Sequence, residues 1–134
     1  MKWRKEERLL IRQPICDNWA FNVPRGALLL DKWNHIPRGV DVLLTHAPPL
    51  GHGDKASNGM HVGDVELLNS VCKRIRPAYH VFAKEEACEN VLMFCMHYDE
   101  SSAYGSTSDG YTKFINCALC PANSKLAQHD PVIF

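Results

Sequence analysis

Apolar positions along the chain come in short runs whose spacing changes from place to place, and the changes outline an alternation of helices and strands. Ala27 to Asn34 carries Leu29, Leu30 and Trp33 at helical spacing and halts before Ile36-Pro37, where the proline ring disfavours helix in the residue before it. A short helix is predicted there, after a loop at Asn22-Val23-Pro24-Arg25-Gly26. Asp41-Val42-Leu43-Leu44-Thr45 is a continuous apolar run between Arg38-Gly39 and Pro48-Pro49, the pattern of a strand buried on both faces in a layered α/β domain. The polar, glycine-rich stretch from Gly51 to Gly59 reads as a loop at the end of that strand.

Val62 to Arg76 reads as the clearest helix. Val65, Leu68, Cys72 and Ile75 recur at spacings of three and four, acidic Asp64 and Glu66 stand near the start, and Lys73, Arg74 and Arg76 near the end, as the helix dipole favours. Pro77 closes it, and Tyr79-His80-Val81-Phe82 resumes as a second apolar strand, so strand, helix and strand make a βαβ-like unit. Further on, Ala83 to Glu89 favours helix and Val91 to Met96 fits either its continuation or a strand; a helix is expected. Tyr104 to Gly110 reads as turn-rich, Tyr111 to Cys117 as β, and Pro131 to Phe134 as a short terminal strand, with a short strand also expected at Leu9-Leu10-Ile11. The fold class is α/β.

Composition bounds this picture. The 134 residues suit one domain, and 46% hydrophobic against 22% charged residues supplies a core. Fifteen basic and fifteen acidic side chains cancel, which leaves no electrostatic footprint for nucleic acid or an anionic membrane. No apolar run reaches the ~20 residues of a spanning helix, and the charged start Met1 to Arg8 has no secretory apolar stretch behind it, so a cytoplasmic protein is expected. The six cysteines then read as reduced thiols. Cys117-Ala-Leu-Cys120 supplies at most two of four ligands of a structural zinc.

Among residues able to do chemistry, His46 stands out. It closes the first buried strand and precedes Ala47-Pro48-Pro49, a backbone with little freedom, at the kind of strand end where α/β sheets gather ligands. That suits a metal ligand, or a partly buried histidine bonding a carbonyl. His97-Tyr98-Asp99-Glu100 offers nitrogen and oxygen donors, and His97 and Asp99 share a face if the segment is extended; a solvated polar turn is the plainer reading. His52, Asp54 and His61 in the glycine-rich loop touch either a phosphate or solvent, with solvent the stronger expectation. Asp109-Gly110 reads as a turn. No G-x-S-x-G, P-loop or dinucleotide-binding glycine pattern occurs, and no spacing singles out a Cys–His nucleophile.

Thr45-His46-Ala47-Pro48-Pro49-Leu50-Gly51 resembles the T-H-G/A-P-P-L-G block of the calcineurin-like metallophosphoesterases, specifically the metallophosphoesterase domain-containing proteins of animals. The resemblance continues in order through Asn18 to Gly26, Asp31 to Pro37, Val65 to Asn69, Arg76-Pro77, His80-Val81-Phe82, Tyr104-Gly105, Asp109 to Thr112, Ile115-Asn116 and Cys120. It covers residues 17 to 82 and 104 to 134. It implies a four-layer α/β/β/α sandwich whose strand-end loops hold two divalent metals, Mn, Mg, Fe or Zn, for hydrolysing small phosphodiester or nucleotide substrates. By resemblance His46 matches a histidine ligand of the second metal.

The chain departs from the family in two places. The D-x-H, G-D and G-N-H motifs of the family's first half do not occur upstream of His46, so the chain resembles the C-terminal half of the domain. The G-H-x-H-E motif expected after His80-Val81-Phe82 is replaced by Ala83-Lys84-Glu85-Glu86, and residues 83 to 103 read as an insertion or replaced segment. Under the resemblance His97, Asp99 and Glu100 align as a displaced remnant of that motif. The expectation is one partial domain over residues 1 to 134, with a divergent stretch at 1 to 16. Its implied function is metal-dependent phosphodiester hydrolysis, acting on cyclic nucleotides or related esters, weak or absent in so incomplete a chain. The alternative is a non-catalytic truncated isoform or interaction fragment.

Overall fold

The computed structural model describes Val23 and residues 25–55, 59–82 and 105–117. The expectations for 9–11, 83–103 and 131–134, and with them His97 and Asp99, lie outside the described residues.

Helix α1 spans Ala27–Asn34, as its spacing predicts. Gly26 precedes it at φ 99, a backbone angle that favours glycine, and its carbonyl accepts from Leu30 N–H at 2.9 Å. Leu29 and Trp33, one turn apart, are both buried while Leu28 faces solvent. The far end is reached from a distance by the Arg74 guanidinium, which donates to the carbonyl of Trp33 in the last turn and to that of Ile36 just beyond it.

Four strands follow: β1 Val42–Thr45, β2 Tyr79–Phe82, β3 Gly105–Ser108 and β4 Lys113–Asn116. They form one sheet in the order β1-β2-β4-β3, with β1, β2 and β4 parallel and β3 antiparallel to β4. Leu43, His80, Phe114 and Thr107 share one row of the register, and Thr45, Phe82, Asn116 and Gly105 the next on the same face. Leu43, Phe82 and Phe114 of that face join Leu29, Trp33, Leu67, Val71 and Ile75 from the helices in one core. The β1 run is therefore buried on one face, not two. Leu44 on the other face is 49% exposed, because β1 is outermost among the described strands and the helices cover one side of the sheet.

The crossover between β1 and β2 also departs from its expected pattern. Helix α2 runs Val65–Ser70 and passes into a π-helical turn, Val71–Ile75, so it begins three residues later than the spacing suggests. Asp64 is the reason. Its backbone is extended (φ −95, ψ 123) and its Oδ1 accepts from Leu67 N–H at 2.6 Å, an N-cap that closes the helix there. The same Oδ1 accepts from Trp33 Nε1–H at 3.2 Å, which ties the start of α2 to α1. Held in that rotation, the helix buries Leu67, Ser70, Val71 and Ile75, while Val65 is exposed and Leu68 and Cys72 are only half-buried. Arg76 ends it in the left-handed region (φ 51), its guanidinium over the Tyr111 ring at 4.3 Å.

Residues 105–108 form a strand where a turn-rich segment was expected. Gly-Ser-Thr-Ser has no apolar alternation to announce it, and pairing with the open edge of β4 supplies the order. The turn is confined to Asp109-Gly110, where Asp109 Oδ1 accepts from the N–H groups of Tyr111 and Thr112. Among the described residues no helix is long and apolar enough to cross a membrane.

Candidate functional site at the strand ends

Because β1, β2 and β4 are parallel, their C-terminal ends lie along one edge, where His46 follows β1 and Asn116 closes β4. His46 is half-buried in a segment fixed on both sides. Behind it, the Thr45 hydroxyl donates to Ala47 O at 2.7 Å. That spends its single proton, so the 2.8 Å contact with His80 is Nε2–H donating to Thr45 Oγ1, and His80 is the Nε2–H tautomer. Ahead of it, Asp64 N–H donates to Pro48 O at 3.0 Å and Leu50 N–H to Asp64 O at 3.1 Å. Sequence reasoning gave Asp64 a place near a helix start but did not find this brace, and no local signal pointed to Thr45–His80, whose partners are 35 residues apart.

His80 itself is fully buried between the edges of Phe82 and Phe114. Burial, reinforced by the His52 ring nearby, pushes its pKa down to about 3, so it is neutral at ordinary pH. Its Nδ1 has no hydrogen-bond partner among the described residues.

The loop after His46 overturns the expectation that His52, Asp54 and His61 meet only solvent. Asp54 is 1% exposed, its Oδ1 accepts from His61 Nδ1–H at 2.7 Å, and its Oδ2 accepts from Gly63 N–H at 2.9 Å. The His52 ring stacks on Phe114 with centroids 3.9 Å apart and places Nδ1 2.8 Å from Thr107 Oγ1; burial lowers its pKa against the opposing pull of Asp109 and Asp54. Asn116 Nδ2–H donates to Gly53 O at 3.0 Å, pinning the loop to β4. Gly63 passes so close to the preceding turn that a Cβ there would lie 2.4 Å from Pro49 O. Arg25 completes the edge by donating to the carbonyls of Val62 and Gly63. A compact, polar, strand-end loop is assembled here from residues scattered along the sequence.

The donor set sets a limit on metal chemistry. Among the described residues no three or more His, Cys, Asp or Glu side chains are grouped to hold a metal ion, so these residues do not by themselves fit the dinuclear site that the resemblance implies. His97 and Asp99 lie outside the described residues. Of the Cys-x-x-Cys pair, Cys117 donates from Sγ to Phe82 O at 3.4 Å, and burial raises its pKa. The Cys72 thiol is pushed up to about 11 by burial and by Asp109, which accepts from its Sγ. Neither described cysteine is an activated thiolate.

A mostly parallel sheet with helices on one face and its polar side chains gathered at the strand ends defines the α/β class in which loops carry the site. The chain is 57% identical over 122 residues to UPF0046 protein T07D4.2 of Caenorhabditis elegans, a match covering 91% of this chain and 27% of that protein. It is 45% identical over 112 residues to metallophosphoesterase domain-containing protein 1 of Homo sapiens, covering 83% of this chain and 30% of the human protein. UPF0046 protein C25E10.12 of C. elegans is 42% identical over 120 residues, 87% of this chain and 37% of its own length. No protein-family model matches the chain. By this homology the chain belongs to the metallophosphoesterase domain-containing protein 1 and UPF0046 family, and it spans about a third of the length of these relatives.

Proposed function

We propose that residues 1–134 are part of a metal-dependent phosphoric ester hydrolase domain, the C-terminal half of a four-layer α/β/β/α sandwich, acting on phosphodiesters such as cyclic nucleotides. The observation that carries this reading is the strand-end turn Thr45-His46-Ala47-Pro48-Pro49-Leu50-Gly51. There Thr45, His80 and Asp64 hold the half-buried His46 on a rigid backbone, in a chain homologous to a protein named for a metallophosphoesterase domain.

In this reading His46 gives one imidazole ligand, and the remaining ligands come from outside the described residues, with His97 and Asp99 proposed among them. Bound divalent metal would supply Lewis acidity toward phosphoryl oxygens and an acidified water. The chain's own part is to fix the ligand. Thr45 occupies the Ala47 carbonyl and Asp64 occupies Pro48 O, so the backbone on either side of His46 has little freedom to turn the imidazole away. The face of the sheet opposite the helices is apolar too: it carries Leu44, which is exposed, Val42, Tyr79 and Val81, which are half-buried, and Ile115, which is buried, as a sheet that packs on a second layer would.

The test is to purify the chain with Mn²⁺, quantify bound metal, and assay an activated phosphodiester beside His46→Ala. Stoichiometric metal and weak turnover, both dependent on His46, are the result this reading requires. Absence of both bound metal and His46-dependent turnover overturns the enzyme reading for this chain. That outcome leaves a second reading, a non-catalytic protein acting through contacts, which the 49% exposed Leu44 on the outermost described strand favours.

A further inference from the structure

We propose that the edge of the sheet where the strands begin, opposite the candidate site, binds single-stranded nucleic acid through its phosphates and a base stacked at Tyr111; this does not rest on the hydrolase reading. Equal numbers of basic and acidic side chains in the sequence hide this edge, because the fold sorts them to different places. β1, β2 and β4 are parallel, so their starts lie side by side, with Asp41 O accepting from Tyr79 N–H at 3.1 Å and Ala78 O from Lys113 N–H at 2.9 Å. Arg38 precedes β1, Arg76 precedes β2, and Lys113 opens β4.

The helices end at the same edge. Arg74 joins their ends by donating to the carbonyls of Trp33 and Ile36, and Lys32 and Lys73 stand in the last turns. Burial and then the nearby charge of Arg38 lower the pKa of Arg74, so these two cations crowd each other. Against the basic side chains this edge carries Asp31, Asp41 and Asp109 among the described residues, which leaves a positive surplus. The strand-end edge is the reverse, with Arg25 and Lys55 beside Asp54, Asp64 and Glu66.

Helix ends explain part of the surplus. The partial negative charge of a helix C-terminus favours Lys32, Lys73 and Arg74. It does not account for Arg38, for Lys113, or for the pairing of Arg76 with Tyr111. Arg76 is the one non-glycine among the described residues in the left-handed region, at φ 51 directly after the π-helical turn, where glycine is the usual choice. The chain has an arginine there instead, with its guanidinium 4.3 Å over the Tyr111 ring. Tyr111 is nonetheless 59% exposed, in a turn that Asp109 braces through the N–H groups of Tyr111 and Thr112 and through the Cys72 thiol.

An exposed, firmly held aromatic ring among cations is the combination that binds single strands without reading their sequence: phosphates pair with the cations and a base stacks on the ring. An acidic peptide would use the cations and leave the ring without a partner. Neighbouring strands lie about 4.8 Å apart, so the starts of β1 and β4 are separated by about 10 Å, room for about three phosphates of one strand.

The full chain is titrated into a fluorescein-labelled 12-mer of deoxythymidylate, in EDTA so that no divalent ion supports cleavage, and binding is followed by fluorescence anisotropy. With about three phosphates neutralised, log K should fall against log salt with a slope near −2, a loss of about sixteenfold between 50 and 200 mM NaCl. Arg76→Gly, which suits the left-handed backbone, is expected to weaken binding and make the slope shallower by about 0.7. Tyr111→Ala is expected to weaken binding about tenfold with the slope unchanged. Lys55→Gln, at the opposite edge, should bind as the unmutated chain does.

A footprint on the unmutated chain needs no variant to fold. Lysine acetylation by sulfosuccinimidyl acetate, read by peptide mass spectrometry, should slow at Lys73 and Lys113 when the oligonucleotide is bound and stay the same at Lys55. No binding at 50 mM salt, protection at Lys55 with none at Lys73 and Lys113, or undiminished binding by Tyr111→Ala overturns the proposal. Tighter binding of a 12-residue oligoglutamate or of phosphatidylserine vesicles overturns it too, and makes the edge a site for an acidic protein segment or a membrane.

Discussion

Replacing Asp64 with alanine tests whether one carboxylate sets both the start of α2 and its packing on α1. Asp64 Oδ1 receives Leu67 N–H at 2.6 Å and Trp33 Nε1–H at 3.2 Å, both buried. Loss of the N-cap costs about 1 kcal/mol. The indole N–H left in the core without an acceptor costs about 1 to 3 kcal/mol more. Asp64→Ala should therefore destabilise the chain by about 2 to 4 kcal/mol, read from urea unfolding by far-UV circular dichroism at constant m-value. The cap and the indole are separated by a double-mutant cycle with Trp33→Phe, whose ring has no N–H to strand. In that background the alanine should cost only the cap, giving a coupling of about 1 to 3 kcal/mol. Because both bonds fall on one oxygen, Asp64→Asn can keep them and should cost less than about 1 kcal/mol. Strict additivity of the two mutations, or an Asp64→Ala loss under about 0.5 kcal/mol, would refute the reasoning.

Gly63→Ala should cost about 3 kcal/mol, since the new Cβ lies 2.4 Å from Pro49 O and 2.5 Å from Leu50 N, both backbone atoms that cannot swing aside; urea unfolding measures it, and a near-neutral result refutes the close approach. Arg74→Met keeps much of the stem but removes both donors from the end of α1, and should cost about 1 to 2 kcal/mol in the same assay. His80 makes stability depend on pH in a defined direction. Its folded pKa of about 3 lies below the unfolded value near 6.5, so the unfolded chain takes up a proton first as pH falls. The contribution is complete above about pH 6.5 and is lost toward pH 3, with a slope of at most about 1.4 kcal/mol per pH unit, and His80→Phe should remove that component of the pH profile. Nitrogen-15 NMR at neutral pH should find His80 protonated on Nε2 alone; an Nδ1–H signal contradicts the Thr45 hydrogen-bond assignment.

The chemistry of the site was legible in the sequence only where residues act through their neighbours in the chain. His46 could be picked out because its strand and its prolines adjoin it, and the turn at Asp109-Gly110 because the turn-forming side chain is local. Asp54, His61 and His52 were in view but looked solvated, because a glycine-rich loop gives no sign of folding back on Gly63 and Phe114. The rotation of α2 was ambiguous for a different reason. Val65, Leu67, Leu68, Val71, Cys72 and Ile75 are all apolar and trace two overlapping stripes, so periodicity alone could not choose between them.

Local patterning by itself determined the α/β class, the limits of α1, the strands at 42–45 and 79–82, and the βαβ order, since these follow from side-chain period, proline geometry and turn chemistry. Only tertiary structure decided which face of α2 is buried, that Gly105–Ser108 is a strand, and that Asp54 joins His61. Each of those depends on a donor, an acceptor or a strand edge that the chain supplies only by folding back: Trp33 for Asp64, β4 for β3, and Gly63 for Asp54. Buried polar groups must find partners, and the fold brings those partners within reach.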